Sequence, residues 1–93
     1  MTVEWSAEAL ADLDRFAAFL AEHHPDLASI VAREIFAKTA MLSEHPLIGR
    51  PLPGRPEYRE LVMQVAGAAY VFQYRIDGRR LVMLRVFHGR ETR

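Results

Sequence analysis

From Tyr70 to Ile76 apolar and polar positions alternate, with Tyr70, Phe72, Tyr74 and Ile76 on one side of a period of two and Val71, Gln73 and Arg75 on the other. That period predicts a strand. Asp77-Gly78 interrupts it, and a second run, RRLVMLRVFH, follows. Asp-Gly is a strong hairpin signal, because a type I′ turn needs positive φ at both central residues. With Asp77 and Gly78 as the loop, Ile76 is expected opposite Arg79, Tyr74 opposite Leu81, Phe72 opposite Met83 and Val71 opposite Leu84. One face then gathers Tyr70, Phe72, Tyr74, Ile76, Leu81, Met83 and Phe87 and packs on the core. The other gathers Val71, Gln73, Arg75, Arg80, Val82, Leu84, Val86 and His88, an aliphatic middle with cationic ends. Arg85 breaks the apolar face, which predicts a bulge or a carboxylate partner there.

Toward the N-terminus the period changes. Thr2 to Trp5 reads as a short edge strand, and Ser6 as the N-cap of a helix with Leu10, Leu13, Phe16, Ala17 and Leu20 as its apolar stripe. Asp12 falls outside that stripe. The helix is expected to stop at His23-His24-Pro25, with Asp26 capping a second helix to about Ser43. Its stripe is Ala28, Val31, Ala32, Ile35, Thr39 and Leu42. Ile30, Phe36 and Ala40 lie partly off it and either widen the core contact or form an exposed strip for a partner. So short a connection makes the helices antiparallel neighbours. Pro46 to Pro56 is proline- and glycine-rich and predicts a stiff loop. Tyr58 to Val65 alternates as a strand, and Gly67-Ala68 marks a second, less tightly specified hairpin. The expectation is one α+β domain over residues 1–93, ordered β-α-α-β-β-β, with a two-helix antiparallel hairpin on one face of a small, mostly antiparallel sheet.

Composition narrows the chemistry. The 51% hydrophobic and 26% charged fractions are those of an ordinary soluble globule. There is no cysteine, no run long enough to span a bilayer and no signal-peptide pattern, so a cytoplasmic protein is expected. The net charge of zero conceals a division: three cations against eight acids up to Pro46, then nine arginines against four acids. A basic half can bind or steer an anionic partner whatever the total charge. His23 and His24 are adjacent and so point apart on a helix, and His45 has no companion at ligand spacing, so no metal site is expected. His88 ends a strand before Gly89, Arg90 and Arg93, where it is a candidate acid or base. No P-loop, GxSxG, HExxH or dinucleotide fingerprint occurs, and no cofactor is expected.

The order of features resembles the RelE/ParE toxin superfamily of bacterial type II toxin-antitoxin systems, and most of all its ParE branch. The resemblance is carried by Val3 to Ser6 with Ala9 to Leu13, by Pro46 with Gly49-Arg50, by Arg59-Glu60-Leu61, by Tyr70 with Tyr74, and by Arg85-Val86-Phe87-His88-Gly89-Arg90. RelE-like members cut mRNA on the ribosome with cationic and acid-base side chains on the sheet face and tail. At the corresponding positions this chain has Val62, Gln64 and Val71, with Arg90 retained. Attack by a 2′-hydroxyl needs a base for the proton and cations for the charge developing on phosphate, and Val, Gln and Val supply neither. If the chain were a nuclease, His88 and Arg90 would be its catalytic candidates.

The resemblance to ParE therefore implies a toxin that inhibits DNA gyrase and blocks replication by binding, with no sequence-specific nucleic-acid contact. Its alternatives are a ribosome-dependent mRNA endonuclease and a non-toxic protein-binding module. Candidate target contacts are Arg59, Arg75, Arg80, His88, Arg90 and Arg93. A ParD-like antitoxin is the implied partner, covering Val71, Val82, Leu84 and Val86, pairing with Arg75, and reaching Ile30 and Phe36 on the helical hairpin.

Overall fold

The computed structural model describes residues 1–91. Strand β1 (Thr2–Trp5) leads into helices α1 (Ala7–His23) and α2 (Pro25–Glu44), and then come β2 (Arg50–Leu52), β3 (Arg55–Val65), β4 (Ala68–Asp77) and β5 (Arg80–His88). The sheet order is β1-β5-β4-β3-β2. Only β1 with β5 is parallel; the other pairs are antiparallel. Both helices lie on one face, where Phe16, Leu20, Val31, Ile35 and Leu42 meet Phe72, Tyr74, Leu81 and Met83. The expected α+β architecture is present with one strand more than the sequence suggested. That strand, β2, comes from within the proline-rich stretch, which was expected to be loop. Pro51 is tolerated there because β2 is an edge strand, whose missing N–H leaves no ladder bond unmade.

The helices depart from their expected faces. Ser6 caps α1 as expected, its Oγ accepting from Ala9 N–H at 3.0 Å. The buried positions of α1 are Ala9, Asp12, Phe16 and Leu20, so Leu10 and Ala17 turn to solvent and Asp12 turns inward. A single residue, His24, ends α1 and opens α2. Pro25 takes the first helical position, where its missing N–H costs nothing, and Asp26 sits in the first turn instead of capping. On α2, Ala32, Ile30, Phe36 and Ala40 are exposed and do not widen the core. Phe36 lies edge-on to Trp5, ring centroids 5.6 Å apart.

The two hairpins exchange roles. The tight turn after β4 is Gly78-Arg79, with Asp77 paired to Arg80; Gly78 has φ of 59° and Arg79 stays on the ordinary side, the pattern of a type II′ turn. The turn between β3 and β4 is Ala66-Gly67, with φ of 49° and 83°, so the type I′ signature belongs to the hairpin that looked less specified.

Because the loop begins one residue later than expected, Tyr74 opposes Met83 and Ile76 opposes Leu81. A displacement of two residues keeps every side chain on its expected face. A bulge between Gln73 and Tyr74 then adds one residue on β5, and from there the pairs are Gln73 with Arg85, Phe72 with Val86, Val71 with Phe87 and Tyr70 with His88. An odd step reverses the faces. Val86, expected outside, is fully buried in the core; His88 joins the helix side; Phe87, expected in the core, lies opposite Val71 on the outer face.

Candidate functional site

Beyond Met83, β5 has lost β1 as its neighbour, and α1 takes over that edge. Ser6 N–H donates to Met83 O at 3.0 Å and its hydroxyl to Leu84 O at 2.9 Å. Asp12 accepts from Val86 N–H at 2.8 Å. The same carboxylate receives Arg85 through Nε at 2.8 Å and Nη2 at 2.9 Å, and Arg15 through Nη1 at 2.8 Å. Burial alone would raise the Asp12 pKa; the bonds from Arg85, Arg15 and Val86 outweigh it and hold the carboxyl below its ordinary value. The misfit of Arg85 in the sequence thus has both expected explanations at once, a bulge and a carboxylate.

Arg15 carries the network to the tail. Its Nη2 donates to Glu91 Oε2 at 2.8 Å, and Glu91 Oε1 accepts from His88 N–H at 2.6 Å. Glu91 N–H returns to His88 O at 2.9 Å, so residues 88–91 form a closed turn. Gly89 N–H donates to Ala69 O at 2.7 Å, and a Cβ on Gly89 would stand 2.9 Å from that oxygen, which explains why glycine occupies this position. His88 Nδ1 accepts from Arg90 N–H at 3.2 Å, and its ring lies edge-on to Tyr70 at 5.2 Å.

Behind the turn lies a groove of about 590 Å³, floored by Phe16, Leu20, Leu27 and Val31 and rimmed by Arg15, His24, His88 and Arg90. Glu91 and Arg15 were absent from the expected site. The sequence signal for Asp12 was present but indirect: it sits at helical spacing from Ala9 and Phe16.

The other candidates sit apart. Arg80 pairs with Glu4 at 2.8 Å and with Asp77, and Arg75 lies 3.7 Å from Asp77, all at the hairpin tip. Eight residues of strand put that tip about 26 Å from His88. Arg59 lies below the loop before β2, where Nη1 donates to Leu47 O at 3.1 Å and Gly49 O at 2.8 Å. Tyr74 holds the same loop, donating to Pro46 O at 2.7 Å and accepting from Gly49 N–H at 2.9 Å. Arg93 falls outside the described residues.

On the outer face the registers align Val62, Val71 and Phe87 in one cross-strand row and Glu60, Gln73 and Arg85 in the next. Gln73 Nε2 donates to Glu60 at 3.0 Å, and the Arg85 guanidinium stands 4.6 Å from the Phe87 ring centre. Val62 is 57% exposed, whereas Val71 is nearly covered. Val82 and Leu84 are half-buried on β5. Among the described residues no group of three His, Asp or Glu side chains is placed to hold a metal ion, and no helix is long and apolar enough to cross a membrane.

Two helices packed against a five-stranded sheet of this order, closed by the turn at residues 88–91, define a toxin fold of the ParE/RelE type. The solved chromosomal ParDE system from P. aeruginosa superposes with a TM-score of 0.76 at 22% identity over 95% of both chains, a likeness of fold. The toxin-antitoxin complex RelBE2 from Mycobacterium tuberculosis gives 0.61 at 27% identity, over 94% of this chain and 95% of that one. Toxin RelE1 of Caulobacter vibrioides is 33% identical over 92 residues, covering 99% of this chain and 97% of that protein. The family described as the ParE toxin of type II toxin-antitoxin systems, parDE, matches residues 3–93. The chain belongs to this ParE toxin family.

Proposed function

We propose that this toxin arrests growth by binding DNA gyrase and blocking replication, and that a cognate antitoxin neutralises it by direct contact. The observation that carries the reading is the outer face of the sheet. Val62 and Val71 are direct cross-strand partners there, and Gln64 is the next outward residue on β3, so the three positions to which the resemblance to RelE-like nucleases assigns cationic chemistry adjoin one another here as two valines and an amide. His88 and Arg90 belong to the tail turn, with His88 on the opposite face of the sheet. Proton abstraction and phosphate stabilisation need their groups within hydrogen-bond reach of one reacting centre, and this separation works against cleavage.

Induction of the chain without an antitoxin is expected to stop DNA synthesis and induce the DNA-damage response while protein synthesis continues at first. With purified gyrase, the toxin is expected to inhibit supercoiling. Early arrest of translation with message cut on ribosomes would instead assign the endonuclease activity, and harmless induction would leave only a binding module.

A further inference from the structure

We propose that the loop at residues 46–49 is a preorganised protein contact: its exposed side chains Leu47 and Ile48 enter an apolar cleft of the toxin's target, and Arg50 and Arg55 meet carboxylates at the rim of that cleft. The inference rests on the gyrase reading given above and deepens it by naming where the toxin holds that protein.

The loop is fixed from several sides. Tyr74 donates to Pro46 O and accepts from Gly49 N–H, Arg59 Nη1 donates to Leu47 O and Gly49 O, and Ile48 N–H donates to His45 O at 3.2 Å. Arg59 Nε is buried without a hydrogen-bond partner, a desolvation penalty that comes with anchoring the loop. The two aliphatic residues between these anchors are nevertheless displayed to water. Leu47 is 67% exposed, the most of any large apolar residue described, and Ile48 is 53% exposed. A lone exposed aliphatic is ordinary, but two adjacent ones on a backbone held at both ends form a patch of fixed shape. Such a patch loses little conformational freedom on association, so its burial contributes more fully to affinity.

The flanks identify the chemistry of the occupant. From Leu47 to Pro56 the chain carries Arg50 and Arg55 and no acid. Strand β2 continues from the loop with Arg50, whose side chain is 79% exposed, and ends at Leu52, which is 38% exposed and paired in register with Arg55. Glu60 stands 3.8 Å from Arg50 and accepts from Gln73 at 3.0 Å, so the loose pair leaves Arg50 with donors for a partner. Aliphatic side chains bordered by guanidinium groups match an apolar protein cleft rimmed by carboxylates. Nucleic acid matches poorly, because Leu47 and Ile48 offer no ring on which a base could stack.

The test uses purified DNA gyrase and the purified chain, with melting curves to show that each variant is folded. Leu47→Ser combined with Ile48→Ser is expected to raise the toxin concentration that half-inhibits supercoiling by roughly tenfold or more. Leu47→Gln alone and Arg50→Glu alone are each expected to raise it by roughly threefold or more. Leu10→Ser, which removes a leucine 48% exposed on α1, is expected to leave it unchanged. Wild-type potency in the loop variants would overturn the inference and leave the gyrase reading standing, whereas a wild-type chain that does not inhibit gyrase would overturn both. A loss in Leu10→Ser equal to that of the loop variants would also overturn the inference, by showing that apolar surface in general is responsible. So would self-association of the chain, or its binding to anionic phospholipid vesicles, if the paired serines abolished it, because the loop would then serve a second copy or a membrane.

Discussion

Asp12 and Arg85, 73 residues apart in sequence, meet as a two-point pair, with Oδ2 accepting Nε at 2.8 Å and Oδ1 accepting Nη2 at 2.9 Å. The pair closes a gap that the sheet itself creates. Where β1 ends, the N–H of Val86 would be an unpaired donor on a buried strand edge, and Asp12 supplies its acceptor. Arg85 and Arg15 then neutralise the charge that this service brings into the interior.

Removing that carboxylate leaves Val86 N–H without an acceptor and two arginines without their shared partner. Asp12→Ala is expected to lower unfolding stability by about 3–5 kcal/mol, the range for one member of a buried pair. Arg85→Met is expected to cost less, about 1–2 kcal/mol, because its side chain is 40% exposed and Arg15 still holds Asp12. Urea denaturation of both variants checks the order; an Arg85→Met loss equal to that of Asp12→Ala would contradict it.

The same group sets an acid limit. Its folded pKa lies below that of an ordinary aspartate, so the folded state binds the proton less readily than the unfolded chain. Its stabilisation is complete above the unfolded value and is lost as pH falls through the folded one. Stability measured by denaturation between pH 6 and acid is expected to drop progressively below about pH 4. Asp12→Asn should show a shallower slope over that window.

Gly49 approaches the Tyr74 ring so closely that a Cβ would stand 2.5 Å from its hydroxyl oxygen. Gly49→Ala is expected to cost about 1–3 kcal/mol by pushing the loop off Tyr74, with the bonds to Pro46 and Gly49 going together. In Tyr74→Phe the hydroxyl is already absent, so the added methyl should be cheaper there. A double-mutant cycle in thermal unfolding that returned simple additivity would show the two groups to be independent.

How far the sequence revealed this architecture depends on parity. Alternation along β4 and the first half of β5 identified the core face correctly despite a turn placed one residue early, because the resulting slip was even. The bulge is an odd step specified by tertiary contacts, and past it Val86, Phe87 and His88 were assigned to the wrong sides. Strand β2 was hidden by Pro51 and the prolines that flank it, a residue that an edge strand tolerates. Asp12 was placed outside the helix stripe because a carboxylate at a core position is recognisable only with its partners, and two of these come from β5. Arg85, an arginine on an apolar face, was the one residue whose pattern announced the missing acid. The tail turn depends on Glu91 reaching Arg15 across 76 residues, a pairing that no local pattern encodes.

Ala66 is the single non-glycine residue with positive φ among those described, at 49°, in a turn whose next residue is Gly67. An L-residue in that conformation costs about 1–2 kcal/mol. Ala66→Gly is expected to relieve part of this and raise stability by up to about 1 kcal/mol, partly offset by the greater freedom of glycine in the unfolded chain. A fall in melting temperature would show that the methyl group contributes packing worth more than the strain.

The two clusters of candidate target contacts lie at opposite ends of β5, and charge reversal separates them. Arg90→Glu is expected to abolish growth arrest on induction, while Arg80→Glu at the hairpin tip leaves it largely intact. Neither change should unfold the chain: Arg90 is exposed, and the ion pairs of Arg80 with Glu4 and Asp77 are surface pairs that contribute little. Circular dichroism and melting curves establish that both variants are folded, and colony counts after induction give the result. Arrest that survives Arg90→Glu but not Arg80→Glu would move the target contact from the tail to the tip, and with it the role of the turn that Arg15 and Glu91 hold in place.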